Sequence, residues 1–147
     1  TTQSFDLTVA PVNDAPVLTA VSAQTTNEDA AKTVTLVGTD VDSGDTLTYS
    51  ATTTESNVTI SVSGAVLTLT PAANWNGTAT IIAKVNDGTV DSTTQSFVLT
   101  VAPVNDAPVL GVITNQTSNQ GVTQTVSISA SDIDGDSLTY TLTSNPT

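Results

Sequence analysis

Apolar and polar residues alternate in short runs along the chain, with polar turn clusters between the runs, and no run keeps a helical period. In the central part this pattern predicts seven strands, A to G. Strand A covers residues 17–21 and strand B residues 32–38, alternating about Val34 and Leu36. Strand C covers residues 46–50, with Leu47 and Tyr49 on one face. Strand D runs through Val58, Ile60 and Val62, and after a Ser63-Gly64 hairpin turn strand E runs through Val66, Leu67 and Leu69. Residues 78–85 and 96–101 supply strands F and G. Seven short strands in about 92 residues predict an all-β fold, a two-sheet antiparallel sandwich of immunoglobulin-like type.

The chain also repeats itself. Thr1-Thr2-Gln3-Ser4-Phe5 returns as Thr93-Thr94-Gln95-Ser96-Phe97, and Val12-Asn13-Asp14-Ala15-Pro16-Val17 returns 92 positions on as Val104-Asn105-Asp106-Ala107-Pro108-Val109. Asp40-Val41-Asp42 returns as Asp132-Ile133-Asp134, and Leu47-Thr48-Tyr49 as Leu138-Thr139-Tyr140. Tandem sandwich repeats in a linear array are therefore expected: residues 1–12 as the last strand of a preceding repeat, 13–104 as a complete repeat, and 105–147 as the start of a following one. Proline holds itself and its predecessor in extended geometry, so each Asn-Asp-Ala-Pro segment reads as a short, stiff connector.

Composition narrows what such an array can do. The 147 residues include 14 Asp+Glu against 2 Lys+Arg, a formal charge of −12, with no His and no Cys. So anionic a chain does not neutralise a phosphate backbone, which excludes nucleic acid as a partner. Without His or Cys there is no ordinary zinc, haem, copper or iron–sulfur site, no Ser–His or Cys–His nucleophile and no disulfide. No apolar run is long enough to predict membrane insertion. Thr makes up roughly a fifth of the residues, a bias that favours strands.

The antiparallel course of the strands sorts the acids. The B–C loop (residues 40–45) and the F–G loop (Asp87-Gly88) fall at the proximal end of the repeat, and the A–B loop (27–29) and E–F loop (74–77) at the distal end. Each end abuts a connector. Eleven acids lie in these loops and connectors, leaving only Asp6, Glu55 and Asp91 elsewhere. Two carboxylates about 5 Å apart repel by roughly 3 kcal/mol at an effective dielectric of ~20, and two lysines cannot offset eleven acids. Calcium can, because it takes six to eight oxygens from carboxylates, Asn amides and backbone carbonyls; magnesium, with its strict octahedron, fits less well. The candidate ligands at the second junction are Glu28, Asp29, Asn105, Asp106, Asp132, Asp134 and Asp136. At the first they are Asn13, Asp14, Asp40, Asp42, Asp45 and Asp87. The competing reading is that Asp, Asn and Gly are ordinary turn residues bonding their own backbone; recurrence of Asp-x-Asp beside Asn-Asp-Ala-Pro favours calcium. The loop from Asp132 is no EF-hand, since its sixth and twelfth positions are Ser137 and Thr143.

With these motifs the chain resembles the cadherin-like repeats of large bacterial surface adhesins, often of RTX type. Val104-Asn105-Asp106-Ala107-Pro108-Val109 is similar to the inter-domain connector, Asn27-Glu28-Asp29 to the acidic A–B motif, Asp40-Val41-Asp42 and Asp132-Ile133-Asp134 to the Asp-x-Asp motif, and Val85-Asn86-Asp87-Gly88 to the end of strand F. The resemblance implies calcium between successive domains of a long extracellular stalk at the bacterial cell surface, with roles in attachment and biofilm. Two features depart from the family pattern. The E–F loop, Pro71 to Gly77, has no acid, and the third repeat has Gln120-Gly121 in place of Glu28-Asp29. The Gly-rich nonapeptide of RTX β-rolls is absent.

The expected function is thus a calcium-stiffened extracellular spacer whose partners are neighbouring repeats of the same chain. The alternative is a filament or sheath subunit in which identical chains complete one another by strand exchange. A third reading, a carbohydrate-binding module, rests on Trp75, but the lone Trp of a small sandwich more often plugs the core, and Tyr49 and Tyr140, each two residues after a Leu, read as core residues too. An enzyme is not expected: Glu28 and Glu55 are the only glutamates available for a glycosidase-like pair, and no insertion builds a cleft.

Overall fold

The computed structural model describes residues 1–143. The chain divides into two compact units, Thr1–Pro103 and Val104 onward. Residues 144–147, assigned above to the third repeat, lie outside the described residues.

The first unit holds nine strands: β1 (Val17–Leu18), β2 (Gln24–Asn27), β3 (Lys32–Thr35), β4 (Gly38–Thr39), β5 (Thr48–Thr53), β6 (Val58–Ser63), β7 (Val66–Pro71), β8 (Gly77–Asn86) and β9 (Gln95–Ala102). They form a four-stranded sheet in the order β2-β9-β8-β5, a three-stranded sheet β3-β7-β6 and a small pair β1-β4. All pairings are antiparallel except β2 with β9. Alternation along the strands sends one set of side chains between the two sheets. Ala79, Ile81, Ala83 and Val85 of β8, Phe97, Leu99 and Val101 of β9, and Leu67 and Leu69 of β7 are buried there, joined by Leu18, Val34, Leu36 and Val58. Full burial of one such leucine or valine contributes about 1.5–3 kcal/mol. The opposite set, which includes Thr68, Thr70, Thr78, Thr80, Ser96 and Thr100 along with Val66, Ile82, Lys84 and Val98, faces outward, as the alternation requires.

The observed strands differ from the expected ones where pairing overrides pattern. The B run divides in two: β3 pairs with β7 and β4 with β1, so the chain changes sheets at Leu36, whose N–H donates to Ala65 O while Thr19 N–H donates to Val37 O. The hairpin turn is Gly64-Ala65, one residue later than read, because Ser63 is registered opposite Val66. Gly64, with φ +56°, occupies the first turn position, where a primed two-residue turn takes glycine. Strand C starts later and runs further, to Thr53, because β8 supplies partners as far as Ile81. The unpredicted strand β2 (Gln24-Thr25-Thr26-Asn27) has no apolar residue and exists through its pairing with β9.

Trp75 packs against the buried core, as a plug does, and its ring lies beside the Cα of Gly77. Gly77 has φ +152°, and a Cβ there would come within 2.9 Å of Trp75 Cζ2. Gly77→Ala is therefore expected to cost about 1–3 kcal/mol by overpacking, read as a lower urea midpoint with unchanged slope.

In the second unit β10 (Val109–Leu110) pairs antiparallel with β11 (Ala130–Ser131), repeating the β1–β4 pair 92 residues earlier. These are the only two strands among the described residues of this unit. Val126 and Ile128, the counterparts of Val34 and Leu36, are 42% exposed. In the first unit β3 is held by β7; no strand among the described residues stands in β7's place here, and an unpaired strand is not stable alone. The same reason corrects the reading of Tyr140. Tyr49 pairs with Val85 of β8 and packs on the core, with its hydroxyl accepting from Gly38 N–H at 3.0 Å, whereas Tyr140 is half exposed.

Candidate metal centre

At the proximal end of the first unit, β4 delivers Asp40, the following loop delivers Asp42 and Asp45, and β8 ends next to Asp87. Carboxylate oxygens of Asp40, Asp45 and Asp87 all lie within 4.8 Å of one another. Asp87 is buried, at 6% exposure. Its Oδ1 accepts from Thr89 N–H at 2.6 Å and Val90 N–H at 2.7 Å, and its Oδ2 accepts from the Asn13 amide at 2.9 Å. Donation by Val90, then by Asn13 and Thr89, holds this carboxyl below the usual carboxylate range. Asp40 Oδ1 accepts from Asp42 N–H at 2.9 Å, an Asx turn that fixes the Asp-x-Asp loop. Asp40 Oδ2 is buried without a partner, an orphan acceptor of the kind that in folded proteins calls for an ion or a water.

The connector is tied into the same loop. Asp14 N–H donates to Asp42 Oδ2 at 2.7 Å, and the Asn13 amide also donates to Asp14 O at 2.9 Å. Asn13 and Asp42 thus position the centre, while the carboxylates of Asp14 and Asp42 lie outside the three-carboxylate group. One of the chain's two lysines is committed elsewhere: Lys84 pairs with Asp91, whose other oxygen accepts from Asn86 Nδ2. Asn86 was missed from the sequence; its Oδ1 also accepts from Gly88 N–H at 2.7 Å, setting the F–G turn that carries Asp87. The signal was there in Asn86-Asp87-Gly88, a string of turn residues directly after an apolar strand.

The second unit repeats this arrangement in its own residues. The Asn105 amide donates to Asp106 O at 2.7 Å, Asp106 N–H to Asp134 Oδ2 at 2.6 Å, and Asp134 N–H to Asp132 Oδ1 at 3.0 Å. Each bond has its counterpart 92 residues earlier. Asp136 N–H also reaches Asp132 Oδ1, at 3.4 Å. At the distal end of the first unit Glu28 is buried and its N–H donates to Ala102 O, extending the β2–β9 ladder. Asp29, with φ +59°, turns the chain there; its Oδ1 accepts from Asn74 N–H at 3.0 Å, which joins the A–B and E–F loops at one end.

The donor set is carboxylate, amide and carbonyl oxygen only, which suits a hard divalent cation and no softer metal. Three converging carboxylates with an orphan buried oxygen among them fit such an ion.

A two-sheet sandwich with a four-stranded β2-β9-β8-β5 layer is an immunoglobulin-like module, here with an acidic proximal pole. The profile of the cadherin-like domain family matches residues 12–102, more than half of the chain, and the chain belongs to that family. This is a non-catalytic adhesion-type fold of extracellular proteins. No curated protein matches the chain. Among the described residues no helix is long and apolar enough to cross a membrane.

Proposed function

We propose that the chain is a calcium-stiffened extracellular spacer of a bacterial cell-surface adhesin, contributing to attachment and biofilm structure. The observation that carries this reading is the group Asp40, Asp45 and Asp87, together with the buried, unpartnered Oδ2 of Asp40. Calcium there offsets carboxylate repulsion and ties the connector, through Asn13, to the B–C and F–G loops. At the following connector Asn105, Asp106, Asp132, Asp134 and Asp136 serve in the same way. Isothermal titration of the chain with calcium tests this. Heat of binding is expected at dissociation constants of about 10⁻⁴–10⁻³ M, the range of extracellular modules. Asp40→Ala should remove one class of site and Asp132→Ala another. A flat titration sinks the proposal.

A separate observation favours a second reading, the strand-exchanging filament subunit. Residues 3–10 nearly repeat the sequence of β9, yet Phe5, Leu7 and Val9 are 89%, 80% and 81% exposed, whereas Phe97, Leu99 and Val101 are buried. Light scattering that finds polymers in which this segment occupies another chain's sheet would support it.

A further inference from the structure

We propose that Asp45 is the gate of the proximal site: its carboxylate, carried on a loop hinged at Gly44, closes on the bound ion and sets how long the ion stays. This rests on the calcium reading above and adds to it the residue that controls exchange.

The three converging carboxylates are held unequally. Asp87 is buried and both of its oxygens are bonded, Oδ1 to the N–H groups of Thr89 and Val90 and Oδ2 to the Asn13 amide. Asp40 is half-buried; its Oδ1 accepts from Asp42 N–H, and its buried Oδ2 has no partner. That orphan oxygen is the group that calls for a ligand. Asp45 is exposed, and among the described residues no donor reaches its carboxylate. Two members of the group are thus fixed by the fold, and the third, on the solvent side, is free to move.

The loop supplies the means. Residues 40–47 connect β4 to β5. Within it Gly44 has φ +112°, and a Cβ there would meet nothing within 4 Å. Glycine is needed at this position for its backbone freedom and not for room, and it directly precedes Asp45, where a hinge would have to lie. The second unit makes the contrast. Counting back from Leu47-Thr48-Tyr49 and Leu138-Thr139-Tyr140, Asp42-Ser43-Gly44-Asp45 corresponds to Asp134-Gly135-Asp136, which is one residue shorter. There Asp136 N–H bonds Asp132 Oδ1 at 3.4 Å, whereas no such bond ties Asp45 to Asp40. The extra residue gives Asp45 its slack. Charge supplies the drive: Asp40 and Asp87 repel Asp45, and a divalent cation among them attracts it, so the ion favours the closed position over the open one.

The test is stopped-flow release of calcium from the full chain into chelator, with hydrogen exchange measured beside it in both buffers. Asp45→Asn should release calcium about tenfold faster than the wild type, with the association rate nearly kept, since a gate acts on escape. Gly44→Ala keeps every carboxylate and should speed release in the same direction. In the wild type, calcium should slow exchange of the amides of residues 43–46. Asp45→Asn should lose that slowing, while the amides of Thr89 and Val90, bonded to Asp87, stay protected in both proteins. An Asp45→Asn variant that releases calcium as the wild type does, beside an Asp40→Asn variant that loses binding, keeps the site and overturns the gate. So does association slowed as much as release is quickened, the mark of an ordinary ligand, or exchange at residues 43–46 that calcium leaves unchanged. A wild type that binds no calcium overturns the calcium reading itself, and the gate with it.

Discussion

Moving the chain from chelator to saturating calcium is expected to raise its melting temperature by roughly 10–20 °C. A ligand that binds only the folded state stabilises it by about 2.7 kcal/mol at one hundred times its dissociation constant, and a domain of this size gains about 4–8 °C per kcal/mol. The sharper test is Asp40→Asn. The variant keeps an Oδ1 to accept from Asp42 N–H, so the Asx turn survives. It removes one of three carboxylates whose oxygens lie within 4.8 Å of one another. In chelator, where those charges repel without an ion between them, the variant should be at least as stable as the wild type. In calcium it should be clearly less stable. The order of the two proteins therefore inverts between buffers, measured by circular dichroism melting. If calcium shifts both proteins equally, the Asp40 group is not where the ion binds.

The second large effect is expected in the core. Leu69 is fully buried in β7, the strand between β3 and β6, and is registered opposite Lys32 and Ile60. Leu69→Ala should cost about 2–5 kcal/mol, from lost transfer energy and the cavity left behind. That is a large part of the roughly 5–15 kcal/mol that holds a domain together, and it should lower the melting temperature by roughly 10–40 °C. Thr68→Ala, on the outward face of the same strand, should change stability by less than about 0.5 kcal/mol. Comparable losses from the two variants would mean that the alternation along β7 does not sort inside from outside. The calcium shift should persist in Leu69→Ala, because separated sites add.

The two-sheet fold was legible because a half-buried strand writes its period into the sequence. β7, β8 and β9 alternate apolar and polar residues, and their inward positions are the core. What escaped was whatever pairing alone decides. Nothing in Gln24-Thr25-Thr26-Asn27 marks a strand, since β2 is made by the ladder β9 offers. Strand B read as one run because a change of partner at Leu36 leaves the alternation intact. The gathering of Asp40, Asp45 and Asp87 followed from strand direction, which sets which loops share an end. Details of the same group did not follow. Asp42 acts through Asp14 N–H, and Asn86 holds the turn beneath Asp87. Both depend on which backbone amides the folded loops leave unpaired, a matter of geometry at the scale of one bond.

The parallel pairing of β2 with β9 also decides how the first unit answers a pull on its two ends. The segment before β2 leads back toward the proximal connector, while β9 runs out of the unit at Pro103. Tension between Val17 and Pro103 first strains the two-residue β1–β4 pair, then drags β2 and β9 past each other along their shared axis. Four registered pairs, from Gln24 opposite Leu99 to Asn27 opposite Ala102, then resist in shear together. A hairpin pulled open from its end would yield one rung at a time. Forced unfolding is governed by the barrier to unfolding, and the four pairs sheared together stand above the two-residue β1–β4 pair, so this short polar strand, which buries nothing apolar, is the clasp that sets how hard the unit can be stretched.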